Sequence, residues 1–180
     1  MMRIGSAIRR VLALALCVLL GCGAFAGCSQ VDDIVSNVTA AGVFPVEVNG
    51  VTIADDYAHH PTELEATLRA AKEMDYKRVW AVFQPFTYTR TQMLLDDFAR
   101  VLQIADKVVM TEIMGSRERA EDYAVRTKDL AAKIPGSVWY DTFDEVVDHV
   151  MKNARPGDLV ITLGCGDIYK AAKKMVAWEA

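Results

Sequence analysis

Cysteine is scarce in this chain and badly placed for cross-linking. Cys17, Cys22 and Cys28 crowd the N-terminal segment, and only Cys165 falls in the remainder, a distribution that excludes a disulfide framework. The three histidines are His59, His60 and His149; with neither HxxxH nor a cysteine pair beside them, no zinc site is expected. A GxxxxGK[ST] phosphate loop is missing, and Gly164-Cys165-Gly166 lacks the third glycine of a dinucleotide fingerprint. Positive charge is also short: 20 Lys and Arg stand against 24 Asp and Glu for a net −4. Residues 1–27 hold three arginines and no acid, so without them the charge is −7, and so acidic a body is a poor partner for nucleic acid.

The longest apolar run, Val11 to Leu20, is too short to cross about 30 Å of hydrocarbon on its own. Preceded by Arg3, Arg9 and Arg10 and followed by small residues, it has the three-part grammar of a secretory signal. Leu19-Leu20-Gly21-Cys22 and Phe25-Ala26-Gly27-Cys28 resemble the bacterial lipobox, which makes Cys22 and Cys28 lipidation candidates. Ala24-Phe25-Ala26 suits an ordinary signal peptidase instead, and a misplaced start or broken reading frame produces the same kind of residues. The expected organisation is a signal-like segment over 1–27, a small, polar tether over 28–42 and a folded domain over 43–180. A genuine signal implies an exported or membrane-anchored protein, and an accidental N-terminus implies a cytoplasmic one.

From Val43 onward, strand and helix signals alternate. Asn49-Gly50 separates two alternating apolar runs, the strongest short hairpin signal because both residues accept positive φ. Pro61 opens a helix with Leu64, Leu68 and Ala71 at helical spacing, and RVWAVF, 78–83, reads as a buried strand. A helix is expected over 91–104, a strand at KVVMTE, 107–112, a third helix over 121–134 and a short strand at SVWY, 137–140. Thr142-Phe143-Asp144-Glu145 is a capping box, DLVITL, 158–163, is the last buried strand, and a closing helix follows over 168–177. This order predicts an α/β, Rossmann-like, doubly wound sheet, mostly parallel, with an antiparallel N-terminal edge.

In such a sheet ligands bind beyond the carboxyl ends of the strands. DDYAHHP, QPFTYTRT, TEIMGSRE and GCGD all follow strands and are expected to share one rim. Arg90, among hydroxyls at a helix start, is the best anion ligand there. An alternative pairs it with Asp96 or Asp97. His59 is a candidate hydrogen-bond donor or general base, and His60 a candidate helix cap. Of Asp55 and Asp56, one is expected to hold the loop and the other to reach a ligand; Glu63 is expected to be structural, Arg117 to pair with Glu118, and Cys165 to be an inert thiol.

DDYAHHPTE, FQPFTYTRT, Asp96-Asp97-Phe98, TEIMGSRE and LGCGDI, in this order, resemble the C-terminal domain of the Mur ligases, over about Val48 to Val176. The likeness is greatest to the branch that joins L-alanine to UDP-N-acetylmuramate. It implies an ATP- and Mg2+-dependent amide ligase in which ATP activates a muramoyl carboxylate and the amine of alanine attacks it. The C-terminal domain closes over the nucleotide-binding one. Carried over, Tyr57, His59 and Arg90 contact substrate, His59 as the catalytic candidate and Arg90 on the alanine carboxylate, while Asp56 lies near the nucleotide. Thr87, also a substrate-binding candidate, stands where the family motif FQPHRYSRT has its first arginine, and Phe86 stands at the histidine. Without a phosphate loop, the chain is expected to be inactive unless the missing domains act in trans. Alternatively, it is a lipid-anchored, non-catalytic module for an amino acid or wall peptide.

Overall fold

The computed structural model describes residues 45–178. The signal-like segment over 1–27, the tether over 28–42 and the lipidation candidates Cys22 and Cys28 lie outside the described residues.

The described part alternates as the sequence predicts: β1 (Val46–Val48), β2 (Val51–Asp56), α1 (Pro61–Lys72), β3 (Val79–Phe83), α2 (Tyr88–Met93), α3 (Leu95–Leu102), β4 (Lys107–Thr111), α4 (Thr127–Ala131), β5 (Val138–Tyr140), α5 (Phe143–Asn153), β6 (Leu159–Leu163) and α6 (Tyr169–Val176). The strand order is β1-β2-β6-β3-β4-β5. β1 runs antiparallel to β2 through a turn whose Asn49 and Gly50 sit at φ 52° and 80°, the conformation an Asn-Gly hairpin demands. Every other pairing is parallel.

Burial explains why β3 and β6 carry no polar face. All five residues of each are buried, as strands covered on both sides must be. Val79, Ala81, Phe83, Ile161 and Leu163 pack with Leu64 and Leu68 of α1 and with Phe98, Val101 and Leu102 of α3. Successive side chains alternate in direction, so Trp80, Val82 and Val160 face the other layer, where α5 and α6 lie against β4, β5, β2 and β6. At the far end of β3 and β6, Asp158 accepts from Arg78 (2.6 Å), Trp80 Nε1 (3.0 Å) and the Arg155 N–H (2.9 Å). Burial opposes its charge, yet those donors hold its carboxyl below the usual range.

Two helices differ from expectation. The continuous helix over 91–104 is two, because Leu94 (φ −113°, ψ 21°) breaks the path between α2 and α3. The break lets Leu94 and Leu95 both pack against the core, which a straight helix allows less well. The third helix shrinks to Thr127–Ala131, preceded by a 3-10 turn at Ala120–Asp122 and an extended stretch. Val125 is drawn into a small cluster with Tyr88 and Ile113, with Tyr123 packed against it. The Arg126 guanidinium donates to the carbonyls of Ala120, Tyr123 and Val125, so local packing overrides helix propensity there. No described helix is long and apolar enough to cross a membrane.

Candidate functional site

Parallel strands end together, and the four loops singled out by sequence emerge from the same edge of the sheet. They are laced to one another. The Gly164 N–H donates to Asp56 O (3.2 Å), Gln84 N–H to Leu163 O (3.1 Å), Thr87 N–H to Met114 O (2.9 Å) and Met114 N–H to Pro85 O (2.9 Å). Gln84, buried at the end of β3, joins three of the loops. Its Oε1 accepts from the Asp167 N–H at 3.0 Å and its Nε2 donates to Glu112 O at 3.5 Å. Gly164 (φ 145°) and Gly166 allow this closeness: a Cβ on Gly166 would sit 2.5 Å from Met114 Sδ and 2.8 Å from Gln84 Oε1.

Arg90 is where the lacing leaves a charge open. Its Nη1 is buried and has no hydrogen-bond partner among the described residues. The guanidinium carbon lies 5.9 Å from the centre of the Phe86 ring and beside the Cys165 thiol, which burial raises in pKa and the Arg90 charge draws back. Neither Asp96 nor Asp97 pairs with it; they bridge to Lys133 and Arg100. Thr87 caps the helix that carries Arg90. At φ 63° and ψ 141° it holds a conformation that costs a residue with a Cβ about 1–3 kcal/mol. Its carbonyl accepts from the Thr91 N–H and Oγ1 (3.1 and 2.7 Å), and its Oγ1 accepts from the Arg90 N–H (3.4 Å). The Thr87 hydroxyl therefore caps α2 rather than standing open on the rim.

On the neighbouring loop, His59 Nδ1 lies 3.0 Å from Tyr57 O and 3.3 Å from Glu63 Oε2, while Nε2 has no hydrogen-bond partner among the described residues. Tyr57 is 63% exposed, and its ring meets His59 edge-on, with centroids 5.5 Å apart. His60 caps α1, its Nδ1 accepting from the Thr62 N–H, and Glu63 closes the capping box by accepting from the His59 and His60 N–H groups. Burial works against the Glu63 charge, but these donors and the two imidazoles lower its pKa. Glu63 is structural, as its helix position predicts, and it also sits close enough to act on Cys165.

Asp56 is the loop-holding member of its pair. Its two oxygens accept from the Ala58 N–H (2.8 Å) and Thr67 Oγ1 (2.9 Å). Asp55 takes the Thr162 hydroxyl instead, and burial, reinforced by Asp56, pushes its carboxyl up. Glu118 does not pair with Arg117: it accepts from the Thr89 N–H at 3.0 Å, while Thr89 Oγ1 donates to Tyr123 OH. Gln84 is the site residue that sequence reasoning left without a role; a polar residue directly after a wholly apolar strand was the one available signal for it.

The rim can take an anionic group at Arg90, with an imidazole and a phenol close by on the next loop. No group of three or more metal-ligating side chains occurs among the described residues, Asp56 is occupied by its own loop, and the sequence has no phosphate loop.

A family profile described as "Mur ligase, glutamate ligase domain" matches residues 44–166. The chain is 44% identical over 139 residues to the UDP-N-acetylmuramate–L-alanine ligase of Acetivibrio thermocellus, an overlap of 72% of this chain and 29% of that protein. It is 45% identical over 132 residues to the enzyme of the same name from Lachnospira eligens, covering 71% and 28%. The chain thus spans under a third of the length of these curated relatives. Among solved structures, UDP-N-acetylmuramate-alanine ligase from Thermotoga maritima shares the fold at TM-score 0.58 and 24% identity, covering 74% of this chain and 28% of that one. FolC of E. coli in complex with ADP does so at TM-score 0.57 and 19% identity, covering 92% and 38%.

Proposed function

Because the chain belongs to the Mur ligase family through its glutamate ligase domain, we propose that residues 43–180 supply the amino-acid-contacting lip of an ATP-dependent ligase that joins L-alanine to UDP-N-acetylmuramate in peptidoglycan precursor synthesis. One observation carries this reading: a buried guanidinium nitrogen without a partner among the described residues, at the edge where four post-strand loops meet. Carboxylates are the natural complement of such a group. Arg90 holds the alanine carboxylate, Thr87 caps the helix that carries it, and Tyr57 and His59 line the approach. With Nδ1 turned to Tyr57 O, His59 offers Nε2 to the proton that the alanine ammonium must lose before its nitrogen attacks. Asp56 shapes the lip on the side facing the nucleotide. ATP and Mg2+ belong to parts of the ligase that this chain does not span, so the lip contributes positioning and water exclusion and is inactive alone.

The test mixes the full chain with a protein carrying the nucleotide- and UDP-sugar-binding domains of a 44%-identical relative. Release of ADP is measured with and without L-alanine, and the amide product is identified by mass. Turnover that needs both proteins and L-alanine supports the reading. No turnover in any mixture, together with no L-alanine binding by calorimetry, overturns it. The paired cysteine motifs favour a second reading, an exported lipid-anchored module that binds an amino acid or wall peptide without catalysis. Metabolic lipid label on Cys22 or Cys28 supports that one, and an unlabelled chain rejects it.

A further inference from the structure

We infer that Gln84 is a positioning residue for the Arg90 seat: its carboxamide fixes the turn over Gly164 to Asp167 so that Cys165 forms the seat's wall. This rests on the reading of Arg90 as an anion seat for its purpose, but not for its geometry. Gln84 is 7% exposed, so its carboxamide must find partners within the protein. It finds them on both flanking loops, at the Asp167 N–H (3.0 Å) and the Glu112 carbonyl (3.5 Å). Its backbone carbonyl crowds the position of Gly164, and its side-chain oxygen crowds Gly166. Both glycines flanking Cys165 are therefore pressed against one residue. The Asp167 N–H is the anchor at the end of the turn; without its acceptor the turn keeps the Gly164 tie to Asp56 O and the bonds of Asp167 to Lys170 of the following helix, none of which reaches β3.

Cys165 reports on this arrangement without any ligase activity. A half-buried thiol with a raised pKa alkylates slowly while the turn is closed. Gln84→Leu removes both side-chain bonds at similar volume. Gly166→Ala crowds the same carboxamide at 2.8 Å, together with the Met114 sulfur at 2.5 Å. Each is expected to speed iodoacetamide labelling of Cys165, read by peptide mass mapping on the full chain, roughly tenfold, as about 1.4 kcal/mol on the opening equilibrium gives. The double variant is expected to gain no more than either single one, because both open the same turn. Gln84→Glu keeps the acceptor for Asp167 and is expected to stay near the wild-type rate. Val150→Ala, in the opposite layer, controls for stability: it lowers the melting temperature and leaves the labelling rate unchanged. Unchanged labelling in Gln84→Leu, additive single effects or equal acceleration in Val150→Ala would each overturn the inference. If labelling behaves as expected and L-alanine still does not bind, the geometry stands and the ligase reading fails.

Discussion

Replacing Arg90 by methionine separates what the site costs the fold from what it does. The guanidinium lies over the Phe86 ring, and one of its nitrogens is buried without a partner among the described residues. Methionine keeps an unbranched stem of similar reach against that ring and brings no donor. An unsatisfied buried polar group costs about 1–3 kcal/mol. Arg90 as a whole is only half-buried, so the lower end applies, and the variant is expected to gain about 1 kcal/mol. In a domain of this size that corresponds to a rise of about 3–5 °C in melting temperature. Urea titration of the full chain gives the free energy directly, with the slope expected to stay constant. L-alanine, which should raise the melting temperature of the wild type, is expected to have no effect on the variant. A variant less stable than wild type by a similar amount would refute the reasoning, because it would show that the guanidinium is satisfied within the folded chain.

Asp158→Ala strands Trp80 Nε1, the Arg155 N–H and Arg78 at once, and a loss of about 3 kcal/mol is expected in urea. The wild-type Asp158 carboxyl is held low, so its contribution is present above the unfolded carboxylate range and disappears as pH falls through the folded value; Asp158→Asn should flatten that part of the acid limb. Asp55 has the opposite sign. Burial raises its pKa, so stability drops as pH climbs from the unfolded to the folded value. Asp55→Asn is expected to raise the melting temperature at neutral pH, with the gain shrinking when both proteins are melted in acid. Thr142→Ala removes the cap of α5, whose Oγ1 accepts from the Glu145 N–H at 3.3 Å, and about 1 kcal/mol should be lost.

What the chain announces locally was legible. Asn49-Gly50, Pro61 and the Thr142 box each act within a few residues, and each forms the turn or cap its chemistry requires. The parallel architecture followed from alternation of apolar strands with helices. Features decided by distant partners were hidden. Leu94 breaks a helix because the core takes both Leu94 and Leu95, and residues 123–126 stay extended because Tyr88, far off in sequence, offers a stacking face to Tyr123. Arg90 was picked out by its neighbours' composition, but nothing in the sequence tells that one of its nitrogens is left without a partner among the described residues. Gln84 was hidden for the same reason: its partners lie 28 and 83 residues away.

β6 sits between β2 and β3 and pairs with both, Thr52 and Val79 each opposite Leu159. The strand that unites the sheet is therefore the last one synthesised. Until residues 159–163 have left the ribosome, β1 and β2 have no bond to β3, β4 and β5, and the apolar flanks of β2 and β3 stay open to solvent and to other chains. Closure joins segments more than one hundred residues apart, a slow class of contact. Assembly of the rim is thus a late, all-at-once event after translation, and premature termination between β5 and β6 yields two unjoined half-sheets prone to clump.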